Sequence, residues 1–229
     1  MSIADNINLV QSNIIQAQKG RNPSCTGDVR LIAVTKTLSA DAIRPAYDCG
    51  IRDFGENRVQ ELTAKFPLFP KDLRWHLIGH LQTNKVKYII DKAAMIHSLD
   101  SIKLAAEIEK RAAAIDRIMP CLVQVNIAGE DTKSGLAPEE VRDLVEALGD
   151  YSHVAVEGLM TIGPHTDDKA AINDVFRRCK DLQQQLNAIA LPNVKMKELS
   201  MGMSADYEDA VRQGATMVRV GTVIFGPRG

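Results

Sequence analysis

VRLIAVTK, residues 29–36, places apolar side chains on consecutive positions and then stops abruptly at Thr35 and Lys36. A short unbroken apolar run with β-branched members reads as a strand buried on both faces, the kind found in parallel sheets. Outward from it the same unit recurs: RDF (52–54), LRWHLI (73–78), AAMIHSL (93–99), IMPCLVQVNI (118–127), HVAVEGLM (153–160), KMKELSM (195–201) and TMVRV (216–220). Segments of helical period separate these runs. About eight strands alternating with helices is the count of an α/β fold closed as a single parallel (β/α)8 TIM-type barrel.

Helix signals fall where that scheme needs them. Ser39 can cap a helix starting near Ala40, Asp100 can cap IKLAAEIEKRAAA (102–114), and Pro138 suits the first turn of a helix through EEVRDLVEAL (139–148). The longest helical pattern runs from Asp167 to Asn187, with Ile172, Val175, Phe176, Cys179, Leu182 and Leu186 at spacings of three and four. No repeat, low-complexity tract or Pro/Gly/Ser-rich linker divides the chain, so one domain over residues 1–229 is expected.

The 229 residues carry 28 Lys plus Arg against 29 Asp plus Glu, and this balance offers no positive field for nucleic acid or an anionic membrane. The N-terminal MSIADNINLVQSNIIQAQ is amphipathic and lacks a basic head with an apolar core, and no run approaches the length of a membrane span. A cytoplasmic protein is expected, without nucleic-acid or membrane partners. Cys25, Cys49, Cys121 and Cys179 form no CxxC or Cys/His cluster and read as reduced, mostly buried thiols. His76, His97 and His153 sit on strand positions with no acidic or cysteine partner at metal spacing and read as structural, while His165 reads as a surface-loop residue.

In such barrels the reacting groups stand at the C-terminal ends of the strands. Those positions hold Lys36, then Gly55, Glu56 and Asn57, Gly79, His80 and Gln82, Asn126, Met160 and Thr161, Ser200 through Ser204, and Arg219, Gly221 and Thr222. A lysine leaving a dry strand end beside a fixed cation such as Arg219 is a candidate amine nucleophile for a carbonyl, although a lone lysine after a strand also reads as a solvated loop residue. Its partners are SMGMS (200–204) and RVGTVIFG (219–226), Gly-containing turns with hydroxyls that can expose backbone N–H groups to a phosphate; a helix is expected from near Ala205. Because strand eight closes the barrel against strand one, a phosphate between strands seven and eight would lie near Lys36. A lysine beside a phosphate cup suits an aldehyde that carries a phosphate. Lys133 is a second candidate for the mouth, set seven residues past its strand; His80 and Gln82 read equally as mouth or loop-fixing residues, and Lys85 as a solvent-facing residue of the following helix.

AVTK (33–36), DFGENRVQE (53–61), WHLIGHLQTNK (75–85), VQVNIAGEDTKSG (123–135), GLMTI (158–162), LSMGMSADYEDAV (199–211) and MVRVGTVIFG (217–226) together closely resemble the pyridoxal phosphate homeostasis proteins, the YggS/PROSC family. The resemblance runs nearly end to end. It implies a fold-type III barrel like the alanine racemase N-terminal domain, with pyridoxal 5'-phosphate held as an aldimine on Lys36. It further implies Ser200 near the pyridine nitrogen, Asn57 near the ring, and Arg219, Gly221, Thr222 and the Met201, Gly202 and Ser204 loop around the phosphate.

The family is thought to buffer and deliver the cofactor without an established reaction, so the expectation is a non-catalytic carrier, monomeric, with cofactor-dependent apo-enzymes as recipients. Barrel-type racemases carry a second, β-rich domain, for which this sequence leaves no expected room. A single-domain amino-acid racemase, or a Schiff-base aldolase using Lys36, stays as the competing expectation.

Overall fold

The computed structural model describes residues 2–21, 25, 27–130 and 133–227. Eight strands form a closed barrel in sequence order: β1 (Arg30–Val34), β2 (Asp53–Glu56), β3 (Arg74–Leu77), β4 (Ala93–Leu99), β5 (Met119–Gln124), β6 (Val154–Met160), β7 (Val194–Ser200) and β8 (Met217–Val220). All neighbours are parallel, and β8 returns to β1 in the register Arg30↔Met217 through Ala33↔Val220. The ring therefore has no open edge, and VRLIAV lies between two hydrogen-bonded neighbours as its continuous apolar run requires.

The helices are α1 (Ile3–Lys19), α2 (Ala40–Asp48), α3 (Val59–Lys65), α4 (Ile102–Ala113), α5 (Val141–Ala147), α6 (Lys169–Leu186), α7 (Tyr207–Arg212) and α8 (Thr222–Phe225). The amphipathic N-terminal segment becomes α1, started by a reciprocal cap in which Ser2 Oγ accepts from Asp5 N at 3.1 Å and Asp5 Oδ2 accepts from Ser2 N at 2.9 Å. It buries Ile7, Val10, Ile14 and Ala17 against α2, α7 and α8, so it covers the seam where β8 meets β1. Ser39 caps α2 as expected, its hydroxyl accepting from Ala42 N at 3.2 Å. The cap of α4 is Ser101 and not Asp100: Ser101 Oγ accepts from Leu104 N at 3.3 Å, and the helix starts at Ile102 as expected. Pro138 opens a 3-10 turn, Pro138–Glu140, ahead of α5, and another 3-10 segment, Thr83–Tyr88, stands between β3 and β4 where a full helix was expected. Likewise α7 begins at Tyr207, two residues past Ala205.

Two apolar clusters result. The larger fills the layer between strands and helices, with Phe54, Trp75, Leu77, Ile96, Val123, Phe176 and Val218 buried in it. The smaller, Ile32, Met95, Leu122, Met160 and Met217, occupies the barrel lumen. The rest of the lumen is polar, and that asymmetry positions the site. Cys121 and Cys179 are buried, whereas Cys25 is half-buried and Cys49 exposed, so burial extends to only part of the cysteine set. Among the described residues no helix is long and apolar enough to cross a membrane.

Candidate functional site

Lys36 follows β1 in a tight turn and is half-buried. Three contacts hold that turn. Thr35 N donates to Gly55 O at 3.0 Å, Thr35 Oγ1 donates to Glu56 Oε1 at 2.6 Å, and Thr37 N donates to Glu61 Oε2 at 2.6 Å. Lys65 then reaches back from α3, its Nζ 2.6 Å from Glu56 Oε1 and 2.8 Å from Thr35 O. Thr37 takes φ 65°, a left-handed conformation unusual for a β-branched residue, and the surrounding bonds hold it there. Burial pushes the Glu56 carboxyl up against the opposing pull of Lys65 and Thr35. The strand-end residues Glu56 and, by way of α3, Glu61 and Lys65 thus form a buried clamp under Lys36.

The loops after β7 and β8 are interlocked. Arg219 N donates to Gly202 O at 3.0 Å, and Gly221 N donates to Ser204 Oγ at 3.2 Å. Gly202 has φ 89°, and a Cβ there would stand 2.6 Å from Ala210 Cβ, so the turn requires glycine twice over. Met201 is buried, its N–H donating to Met217 O at 3.1 Å, which ties the start of the loop to β8. Met203 N donates to Asp206 Oδ1 at 2.6 Å, which closes the turn ahead of α7. Thr222 opens α8 and is exposed, and the first N–H groups of a helix have no partner within it. The pairing of Ala33 with Val220 carries both chains onward so that the Lys36 turn and Gly221–Thr222 emerge side by side.

Between these two rims runs a file of buried polar groups. Arg219 Nη1 donates to Ser200 Oγ at 2.6 Å and its Nη2 to Thr161 O at 2.9 Å. Ser200 Oγ is also 3.0 Å from His97 Nδ1; His97 Nε2 is 2.9 Å from His76 Nδ1, and His76 Nε2 is 2.9 Å from Asp53 Oδ1. Arg74 closes the far end, Nε 2.8 Å from Asp53 Oδ1 and Nη2 2.5 Å from Oδ2. Burial pulls the Arg219 guanidinium down to about 10, with Asp206 pulling it back up. Burial also lowers both histidines, His97 further through the cations Arg219 and Arg30 and through the cost of charging beside His76. Burial would raise Asp53, but hydrogen bonds from Arg74 and His76 overcome it and hold the carboxylate well below its usual range.

His76 does have an acidic partner, Asp53, and His153 lies 2.9 Å from Glu109; the partners come from neighbouring elements, which sequence spacing does not display. Asp53, His76 and His97 are polar residues of β2, β3 and β4, and the sequence displays each of them without displaying their contact.

Asn57 lies one residue past β2, half-buried, its backbone so close to Gly79 that a Cβ there would overlap it. It borders a cavity of about 510 Å3 shared with Arg58, Glu61, His80, Gln82 and Lys85 on the β2–β3 side of the rim. His80 is largely exposed, 3.6 Å from Asp100, and Lys85 is half-buried near the Tyr88 ring, so both belong to the outer flank. His165 is exposed, and Lys133 is taken up by Glu130 and Gly163 O, each at 2.7 Å. Asp131 and Thr132 of the 123–135 motif lie outside the described residues. Ser200, Gly202, Ser204, Arg219 and Gly221 are thus joined by hydrogen bonds, while Lys36 and Asn57 share their rim through the β1–β8 and β1–β2 pairings.

Residues 6–229 match the family described as "Alanine racemase, N-terminal domain". A pyridoxal phosphate homeostasis protein of Aquifex aeolicus is 42% identical over 231 residues, covering 100% of this chain and 99% of its own. The structure of PipY from Synechococcus elongatus with pyridoxal phosphate bound superposes with a TM-score of 0.84 at 36% identity, covering 98% of this chain and 100% of that one. An alanine racemase of Clostridium difficile, 18% identical with a TM-score of 0.74 over 98% of this chain and 56% of that one, shares the fold. The chain belongs to the pyridoxal phosphate homeostasis protein family, built on the fold of the alanine racemase N-terminal domain.

Proposed function

We propose that the chain is one domain, residues 1–229, that binds pyridoxal 5'-phosphate covalently through Lys36 and carries or buffers it in the cytoplasm, without a conventional catalytic reaction. The observation that carries this reading is that the clamped turn bearing Lys36 emerges beside the interlocked β7 and β8 loops, which supports an amine working next to a rim of backbone N–H groups and hydroxyls. Lys36 would hold the cofactor through its Nζ, and the cofactor would supply the aldehyde with which that amine condenses, releasing water. Gly202, Ser204, Gly221 and Thr222 would hold the phosphate together with Arg219 and Met201, Ser200 would meet the ring nitrogen, and Asn57 would border the ring. The cofactor-bound PipY relative supports the ligand's identity.

A carboxylate at the ring nitrogen makes the ring a strong electron sink; here the residues offered are a hydroxyl and a guanidinium, which suit storage better than carbanion chemistry. The recipients in this reading are cofactor-dependent apo-enzymes, and the working unit is a monomer.

The test is the visible spectrum of the purified protein and of Lys36→Ala, before and after borohydride reduction, with peptide mapping. A yellow protein whose reduced adduct maps to Lys36 is expected. A colourless protein that cannot be reconstituted overturns the reading, and exchange of amino-acid α-hydrogens with solvent at enzyme-like rates would replace the carrier with a racemase.

A further inference from the structure

Asp53, His76, His97, Ser200 and Arg219 stand in single file inside the barrel, each bonded to the next, and such a file can be filled with protons in few ways. Arg219 has donors only, so it gives a hydrogen to Ser200 Oγ. The ionised Asp53 has acceptors only, so His76 carries its hydrogen on Nε2. With both imidazoles neutral one arrangement is left. His97 Nε2–H donates to His76 Nδ1, and Ser200 O–H donates to His97 Nδ1. Ser200 has then spent its hydrogen and one lone pair, and its other lone pair is all that it can offer above.

The charges around the pair favour that filling. Arg30 from β1, Arg74 from β3 and Arg219 from β8 face the imidazoles with positive charge. Asp53 from β2 is the acid in contact, while Glu198 on β7 is engaged by Thr216 at 2.5 Å and by Arg30 at 3.9 Å. His76 and His97 are 1% and 0% exposed, so an added proton finds no water to share it. One proton added to the file reverses it. His76 Nδ1–H would donate to His97 Nε2, His97 Nδ1–H to Ser200 Oγ, and the Ser200 hydrogen would turn toward the mouth.

We propose that Asp53, His76 and His97 are positioning residues for Ser200, holding its hydroxyl as a hydrogen-bond acceptor toward the barrel mouth, so that a heteroaromatic ring seated there is recognised as an N–H donor. This deepens the function proposed above and rests on it only for the identity of the ring. A bare ring nitrogen would set lone pair against lone pair, and a protonated ring over a protonated file would set donor against donor beside Arg219. The ring nitrogen and the imidazole pair therefore hold one proton between them.

Nitrogen-15 NMR of the histidine-labelled apoprotein at pH 7.5 reads the file directly. Both buried imidazoles are expected to be neutral with hydrogen on Nε2, and Ser200→Ala is expected to shift the His97 Nδ1 resonance through loss of its hydrogen bond. With nitrogen-15 pyridoxal 5'-phosphate bound, the ring nitrogen is expected to be protonated in the wild type. Asp53→Asn is expected to lower its midpoint by at least about one pH unit, a roughly tenfold change in proton affinity, with no such shift in a Ser200→Ala background. Hydrogen on His97 Nδ1 in the neutral apoprotein, or an Asp53→Asn shift of the same size with and without Ser200, overturns the proposal. The apoprotein arm contains no cofactor and reads the tautomers in the wild type, so its failure defeats the polarity argument alone, whereas failure to form the Lys36 adduct defeats only the proposed function.

Discussion

Lys65 Nζ lies 2.6 Å from Glu56 Oε1, with side-chain exposures of 8% and 0%, so an ion pair between α3 and the end of β2 is sealed directly beneath the turn that carries Lys36. Burying two charges gains little net stability, because desolvation consumes most of the attraction; removing one partner costs far more, because the survivor is left unpaired. Here Glu56 Oε2 already lacks a hydrogen-bond partner among the described residues, and the Thr35 hydroxyl that also donates to Oε1 is neutral, so it does not replace the lost charge. Lys65→Met is expected to destabilise the protein by about 3–5 kcal/mol, measured by urea unfolding. The double variant Lys65→Met with Glu56→Gln is expected to recover a substantial part. Equal losses in single and double variants would show that the charge is not what matters.

The file of histidines makes stability sensitive to mild acid. His76 and His97 have folded pKa values lowered from 6.5, so below that value the unfolded chain takes up protons that the folded chain refuses. Stability from these groups is complete above the unfolded value and is lost as pH falls from 6.5 toward the depressed folded values, by up to about 1.4 kcal/mol per pH unit for each histidine. Asp53, lowered in the fold, adds its loss only later, below the ordinary carboxylate range. Denaturation midpoints are expected to hold level from pH 7.5 to about 6.5 and then to fall toward pH 5, and His97→Gln is expected to reduce that slope. A flat profile in the wild type would mean that the imidazoles charge as readily inside the barrel as outside it.

How much of this was legible depends on whether the partner was local. VRLIAV reads as β1 because its burial is written in its own residues. Strand β2 reads short, as RDF, because Gly55 and Glu56 resemble turn residues. In the barrel, Gly55 is confined by Ile32 Cγ2, 3.0 Å from where a Cβ would stand, and Glu56 is tolerated in a strand only because Lys65 arrives from nine residues away. The Ser101 cap was missed because Asp100 is an equally good capping residue one position earlier, and only the backbone geometry decides between them. Lys36, Ser200, Gly202 and Arg219 were visible as polar residues at strand ends. The Asp53–His76 contact was not, since its members are 23 residues apart and meet only through the β2–β3 register.

The Gly202 turn can be tested through its shape. At φ 89° an alanine would be strained, and its Cβ would also press on Ala210 Cβ at 2.6 Å and Tyr207 Cα at 2.9 Å. Gly202→Ala is expected to cost about 1–3 kcal/mol in unfolding free energy, the range of residues forced into sparsely populated conformations. Because Gly202 O also receives the Arg219 N–H, the distortion reaches β8, and pyridoxal 5'-phosphate retention is expected to weaken in equilibrium dialysis. Unchanged stability with unchanged retention would mean that the α7 end of the loop moves aside freely.

Arg219 is the point at which fold and site share one side chain, since its two η-nitrogens bond Ser200 Oγ and Thr161 O from opposite sides of the guanidinium. A lysine ammonium keeps the charge but cannot span both acceptors with a planar fork. Arg219→Lys therefore leaves either Ser200 or Thr161 O without its charge-assisted donor, a loss of about 1.5–3 kcal/mol. If the Thr161 bond is the one surrendered, the cost falls on stability; if the Ser200 bond is surrendered, it falls on the ligand, as an increase of at least about tenfold in the dissociation constant for pyridoxal 5'-phosphate. Parallel calorimetry of the apoprotein and fluorescence titration with the cofactor separate the two. A variant unchanged in both would show that water replaces the missing arm, and that the guanidinium serves the barrel by its charge and not by its shape.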